Sequence, residues 1–187
     1  METVRVFIAI DFNEKIRTRL FELQRKLKKT HADVRWVKPH AMHLTLAFLG
    51  EVEEDRIEPI KTALDQALQA RAPFELKVHG TGTFGHSRHP RVIWAGIEPC
   101  PALLEAQQKI IDALRTENSA FDEKPFSPHL TLGRVKSAAH LPSLMQKLEK
   151  AAEIELGGTT ITEILLFQSE RTARGTEHAV LHRIPLT

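Results

Sequence analysis

The sequence predicts an α+β fold of two pseudo-symmetric lobes, each a mainly antiparallel sheet with helices on the outside, around a central cleft. Three observations predict it. The tetrapeptide His-Leu-Thr-Leu occurs twice, at residues 43–46 and 129–132, 86 residues apart. Around each copy the apolar pattern reads strand, helix, motif strand, helix, strand, strand. The opening strand begins 39 residues before the histidine in one half and 38 before it in the other. A period this long is not a solenoid repeat. It marks an internal duplication within a single domain, with lobes at about residues 1–88 and 89–187.

Taken in order, Val4 to Ile10 reads as a mostly buried strand, followed by Asp11 and Asn13 as turn and helix cap. Ile16, Leu20, Leu23 and Leu27 then fall at helical spacing over residues 14–29, with basic residues on the other face. Arg35-Trp36-Val37-Lys38-Pro39 links to the first motif strand, residues 41–50. A second amphipathic helix covers residues 55–70, where Pro59 is tolerated near the first turn. Phe74 to Val78 alternates like a strand, and Gly80 and Gly82 break the chain before another short one ending near Phe84. The second half repeats this plan. A strand at 91–97 precedes a helix from the prolines at 99 and 101 to about 115. The second motif strand comes next, then a helix over 142–152 and strands at 154–156, 160–167 and 179–184.

Composition narrows the function classes. The chain has 187 residues, 42% of them hydrophobic and none in a low-complexity tract, which is enough for one packed core. A formal net charge of +2 is compatible with an anionic substrate but too small for a nucleic-acid coat. One cysteine, Cys100, excludes an internal disulfide and a cysteine-based zinc site. No apolar run approaches 18 residues and the first residues show no signal-peptide pattern, so we expect a cytoplasmic protein without a membrane partner. Nothing in the sequence requires more than a monomer.

Side chains on a strand alternate faces. His43 and Thr45 therefore share one face over Leu44, Leu46 and Phe48, and His129 pairs with Thr131 over Leu130 and Leu132. His-x-Thr alone is a weak signal, since His79-Gly80-Thr81 occurs without apolar flanks. Two flanked copies at matching positions are specific. Facing imidazoles can divide acid and base roles near pH 7. The hydroxyls beside them can hold the non-bridging oxygens of a phosphate. A strained cyclic phosphodiester needs little more than this.

The same residues carry a resemblance. Arg5 to Ile10, Arg35-Trp36-Val37 with His43 to Gly50, Pro90 to Trp94, and Phe126-Ser127-Pro128-His129-Leu130-Thr131-Leu132-Gly133-Arg134 resemble the motifs of the two-histidine phosphoesterase superfamily. Within it the chain resembles the RNA 2′,3′-cyclic phosphodiesterases, once described as 2′-5′ RNA ligases. The resemblance implies hydrolysis of an RNA 2′,3′-cyclic phosphate, or of a cyclic nucleotide, to a 2′-phosphate, with no metal or other cofactor. It implies that His43 protonates the leaving 3′ oxygen, that His129 activates water, and that Thr45 and Thr131 hold the phosphate. Run backwards, the pair would join a 2′-hydroxyl end to a cyclic phosphate end.

Two further candidates for substrate contact are Arg134, which strict alternation puts on the Leu130/Leu132 face, and Trp36, which could stack a base or be a core or hinge aromatic. The tail departs from the family outline because the chain contains no tyrosine. Two alternatives stand beside this reading. One is a metal-dependent phosphodiesterase using His40, His43 and scattered carboxylates, with His86-x-x-His89 as a second candidate metal pair. The other is a nucleotide- or RNA-binding module without turnover.

Overall fold

The structure is a computed structural model that describes residues 2–86, 88–172 and 175–187. Nine strands and four helices follow one another among these residues: β1 (Thr3–Ile10), α1 (Glu14–Lys28), β2 (Val34–Trp36), β3 (Leu44–Glu53), α2 (Ile57–Leu68), β4 (Phe74–His86), β5 (His89–Ile97), α3 (Pro101–Thr116), β6 (His129–Val135), α4 (Leu141–Lys150), β7 (Glu155–Ile161), β8 (Glu163–Thr172) and β9 (Gly175–Pro185). Asn13 caps α1 as expected, its side chain accepting from the Ile16 N–H at 3.0 Å. No helix among the described residues is long and apolar enough to cross a membrane.

The strands form two antiparallel sheets, β3-β1-β8-β9 and β2-β6-β5-β4-β7. Their orders correspond: a motif strand, then an opening strand, then two more, with β2 added at the edge of the second sheet. The sheets do not divide the chain near residue 88, where the half-chain boundary was expected. β4 lies in the second sheet, while β8 and β9 lie in the first. The reason is local. Residue 88 sits at the tip of the β4–β5 hairpin, and the two strands of a hairpin pair with each other. The helices follow the exchange. α2 and α3 pack on the first sheet and α1 and α4 on the second. A single core joins both layers, including Val6, Ile8 and Ile10 of β1, Leu20 of α1, Leu64 of α2, Ile93 of β5 and Leu130 of β6.

Two expected elements change. Residues 160–167 do not form one strand. The chain leaves the second sheet at Ile161 and enters the first at Glu163, and the Thr162 carbonyl between them accepts the Leu186 N–H at 2.8 Å. Gly80 and Gly82 do not end β4 either. The strand runs through them with register shifts, Gly80 taking φ +76°. Gly82 lies directly across from Trp94, where a Cβ would stand 2.3 Å from the indole, so only glycine lets that ring lie against the strand.

The irregularity that shapes the motif strands is a β-bulge at the second leucine of each motif. Ile8 and Ala9 of β1 oppose Ala47 and Thr45, leaving Leu46 extra; Ile93 and Trp94 of β5 oppose Gly133 and Thr131, leaving Leu132 extra. Each bulged carbonyl accepts from a glutamine on a covering helix. Gln24 of α1, fully buried, donates to Leu132 O at 2.7 Å and to Val37 O at 2.8 Å. Gln107 of α3 donates to Leu46 O at 3.3 Å. Replacing Gln24 by leucine takes the amide donor from the partly buried Val37 carbonyl and one of two donors from the buried Leu132 carbonyl. We expect it to cost about 1–3 kcal/mol, read as a lower urea midpoint at unchanged slope; an unchanged midpoint would show that these bonds do not hold the bulge.

Candidate active site

His43 directly precedes β3, and His129 opens β6. Each is followed by a leucine that anchors its strand, Leu44 at 1% and Leu130 at 0% exposure. Burying such a side chain is worth roughly 1.5–3 kcal/mol, so the opposite face of the motif is held firmly. β3 and β6 contact each other, and in each strand the histidine and threonine lie on the face opposite the buried motif leucines. Both threonines are partly buried. The approach to His43 is fixed by Arg17 of α1. Its guanidinium donates to Pro39 O at 2.7 Å and Phe12 O at 2.9 Å, and pairs with Asp11.

The bulges re-aim the residues just beyond each motif. Phe48 was expected beneath the strand with Leu44 and Leu46. It lies instead on the cleft face, against a small cluster of Phe7, Ala9, Leu165 and Phe167. At the equivalent place in β6, Arg134 is likewise turned from the Leu130/Leu132 face to the face of His129, and its charge is felt by that imidazole. Trp36 goes the other way. It pairs with Gly133, whose added Cβ would meet Val34 and the Trp36 ring, and both packed side chains rest on the core. Lys28 places its ammonium 5.9 Å from the centre of that ring. Of the two readings of Trp36, base stacking or a core or hinge role, its packing fits the second: it rests on the core, on the far side of the sheet from Arg134.

Sequence reasoning missed four aromatic neighbours and a third histidine. Phe7 stacks on His43 with ring centres 4.6 Å apart at 25°, and Phe167 lies 5.2 Å beyond it. His178 of β9 stands edge-on to both His43 (5.1 Å) and Phe7 (5.0 Å). On the other side, Phe84 meets the His129 ring edge-on at 4.7 Å, and Trp94, paired with Thr131, lies 5.6 Å from Phe84. Among the described residues, the buried Nδ1 of His178 has no hydrogen-bond partner. Also among the described residues, no three His, Cys, Asp or Glu come together in metal-ligating geometry. His86 and His89 sit across the hairpin tip, ring centres 6.4 Å apart.

Burial dominates the electrostatics. It drives His43 down to about 3, helped by the nearby His178 and Arg17, against the hydrogen bond to the Ala41 backbone that favours its charged form. His129 is lowered by burial and by Arg134, against the Ser127 carbonyl. His178 is lowered by burial and by His40. At pH 7 these three imidazoles are therefore mainly neutral. Their tautomer follows from chemistry. His129 Nδ1 lies 2.7 Å from Ser127 O, and a carbonyl can only accept, so Nδ1 carries the proton and Nε2 keeps its lone pair. His43 makes the equivalent contact two residues back, to Ala41. Two such rings, with hydroxyls and a guanidinium alongside, can take a proton on one side of a bound oxyanion and return one on the other.

Comparison with known proteins agrees with this geometry. The profile described as the 2′-5′ RNA ligase superfamily matches residues 12–173. The RNA 2′,3′-cyclic phosphodiesterase of Thermotoga maritima is 34% identical over 179 residues, covering 96% of this chain and 94% of that protein. The protein of the same name from Methanothermobacter thermautotrophicus is 33% identical over 172 residues, covering 92% and 93%. Among solved structures, TT0787 of Thermus thermophilus superposes with a TM-score of 0.82 at 28% identity, covering 97% of both chains. E. coli LigT in complex with 3′-AMP gives 0.80 at 27% identity, covering 100% of this chain and 99% of LigT. A profile match over residues 12–173, most of the length of the chain, means that this chain belongs to the 2′-5′ RNA ligase superfamily.

Proposed function

We propose that this chain hydrolyses RNA 2′,3′-cyclic phosphate ends to 2′-phosphomonoesters, with the two motif histidines carrying both proton transfers. The observation that carries the reading is the pair of motif imidazoles, each bonded to the backbone two residues upstream, with the His129 Nε2 left open as a base. The curated relatives bear this activity in their names, and LigT has been crystallised with 3′-AMP. His129 takes a proton from water as its oxygen bonds to phosphorus. The P–O3′ bond breaks, and His43 gives its proton to the departing 3′ oxygen. Thr45, Thr131 and Arg134 hold the non-bridging oxygens, whose charge grows in the transition state. No step requires a metal. The reverse reaction would form a 2′-5′ linkage, and water favours hydrolysis. The corresponding strand orders and paired bulges support reading the chain as a duplicated unit that shares one cleft. Its single cysteine suits a reducing cytoplasm, where we place its RNA substrate.

The depressed histidines give the mechanism a proton-coupled entry. An imidazolium with a low pKa is a strong acid but a scarce one. A phosphate anion between the rings raises the imidazole pKa, so that binding draws a proton from solvent.

Two outcomes test this reading. With a short RNA bearing a 2′,3′-cyclic phosphate in EDTA, His43→Ala and His129→Ala should each lower the rate by about 10²–10⁴-fold, and the wild-type product should gain the mass of one water and co-elute with an authentic 2′-phosphate rather than the 3′-phosphate. Turnover that depends on added metal, or RNA that binds without turnover, would replace the proposal. Because catalysis needs one imidazolium and free His43 and His129 both titrate below the ordinary 6.5, kcat/KM should fall as pH rises from 6 to 8. Sulfate, whose own charge is constant in this range, should bind more tightly toward pH 6. A flat profile in both measurements would remove the acid–base pair.

A further inference from the structure

Beside the catalytic cleft lies a pair of arginines that the hydrolytic step uses only in part. Arg35 of β2 and Arg134 of β6 are directly opposed in the antiparallel ladder. Directly opposed residues project on the same face with Cβ atoms about 4.5–5.5 Å apart, and like charges in that position are destabilising. Both side chains are exposed. Among the described residues neither guanidinium has a carboxylate partner. Because Arg134 faces the side of His129, Arg35 faces it too, while the intervening β2 side chains Val34 and Trp36 turn to the core. An edge strand only three residues long thus sends its apolar side chains inward and one arginine toward the cleft.

The position of Arg35 sets what it can reach. It stands one strand farther from His129 than Arg134 does, and strand spacing is about 4.8 Å. Arg134 is the nearer to a phosphate held between the histidines. The geometry points to Arg35 as the receptor for a second phosphate, the phosphodiester on the 5′ side of the terminal nucleotide, with the Arg35–Arg134 pair forming a two-phosphate fork. The pair's mutual repulsion is relieved when both anions are present. This rests on the cyclic-phosphate reading above and adds a substrate class to it: an RNA chain end in preference to a free nucleoside cyclic phosphate.

The test compares a nucleoside 2′,3′-cyclic phosphate with a dinucleotide ending in the same group, for wild type and Arg35→Gln. Wild type should favour the dinucleotide by about fivefold to tenfold in kcat/KM, chiefly through KM, as one charge-assisted contact warrants. Arg35→Gln should remove most of that ratio. Binding is measured separately from turnover, using the dinucleotide 2′-phosphate and the nucleoside 2′-monophosphate across 50–200 mM salt. The wild-type dinucleotide should show a log–log salt slope steeper by about 0.7, and the variant should lose the difference. The urea midpoint of Arg35→Gln should be equal to or higher than wild type, because a like-charge pair is dissolved. A dinucleotide preference or extra salt slope that survives in Arg35→Gln overturns the proposal, as does a wild type without either. Should wild type turn over neither substrate, the hydrolytic reading fails, and the binding arm alone still decides the role of Arg35.

Discussion

The site depends on one local irregularity made twice: an extra leucine in each motif strand, its carbonyl drawn away to a helix-borne glutamine. In a regular strand the residue five places after each motif histidine would lie on the opposite face, in the core. The bulge reverses that. It places Phe48 on the apolar side of the cleft and Arg134 on the basic side. The stronger anchor is at Leu132, whose carbonyl receives both the Gln24 amide and the Val37 N–H at 2.9 Å. A buried carbonyl with two partners is expensive to move, so the bend that aims Arg134 is part of the core.

The two sides of the cleft are chemically unlike even though their strands correspond. His43 sits against Phe7 with Phe167 behind, while His129 sits beside Phe84, Thr131 and an arginine. Apolar packing fixes the rings and also disfavours their charged forms. The protein has accepted scarce protonation in the empty cleft in return for rigid placement. His178 sharpens this on the first sheet, since a proton there opposes one on His43.

Much of the fold was legible because it rests on local pattern. The amphipathic helices, the opening strands and the two motif strands all show apolar spacing that a single sequence displays. The placement of the two motif histidines was legible because Leu44 and Leu130 mark the buried face unmistakably. The hidden part depends on partners distant in the chain. Phe7 stands in an unbroken apolar run, so nothing local says which face it takes. Trp94 enters the site only through its pairing with Thr131, and His178 only because β9 returns beside β8. Arg134 and Phe48 were misdirected by alternation because a bulge is a fact of two strands at once. For Trp36 the sequence left base stacking and a core role open, because its face is set by pairing with Gly133.

The chain passes between the sheets from β1 to β2, from β2 to β3, from β3 to β4 and from β7 to β8, the last with one residue between strands. Such weaving leaves no hinge. Prising the layers apart would tear ladders on both sides and split a continuous core, so the cleft cannot breathe as two tethered domains do. Substrate must come in, and product go out, over a standing rim. Whatever sets the speed of exchange is then not a swing of one whole sheet away from the other.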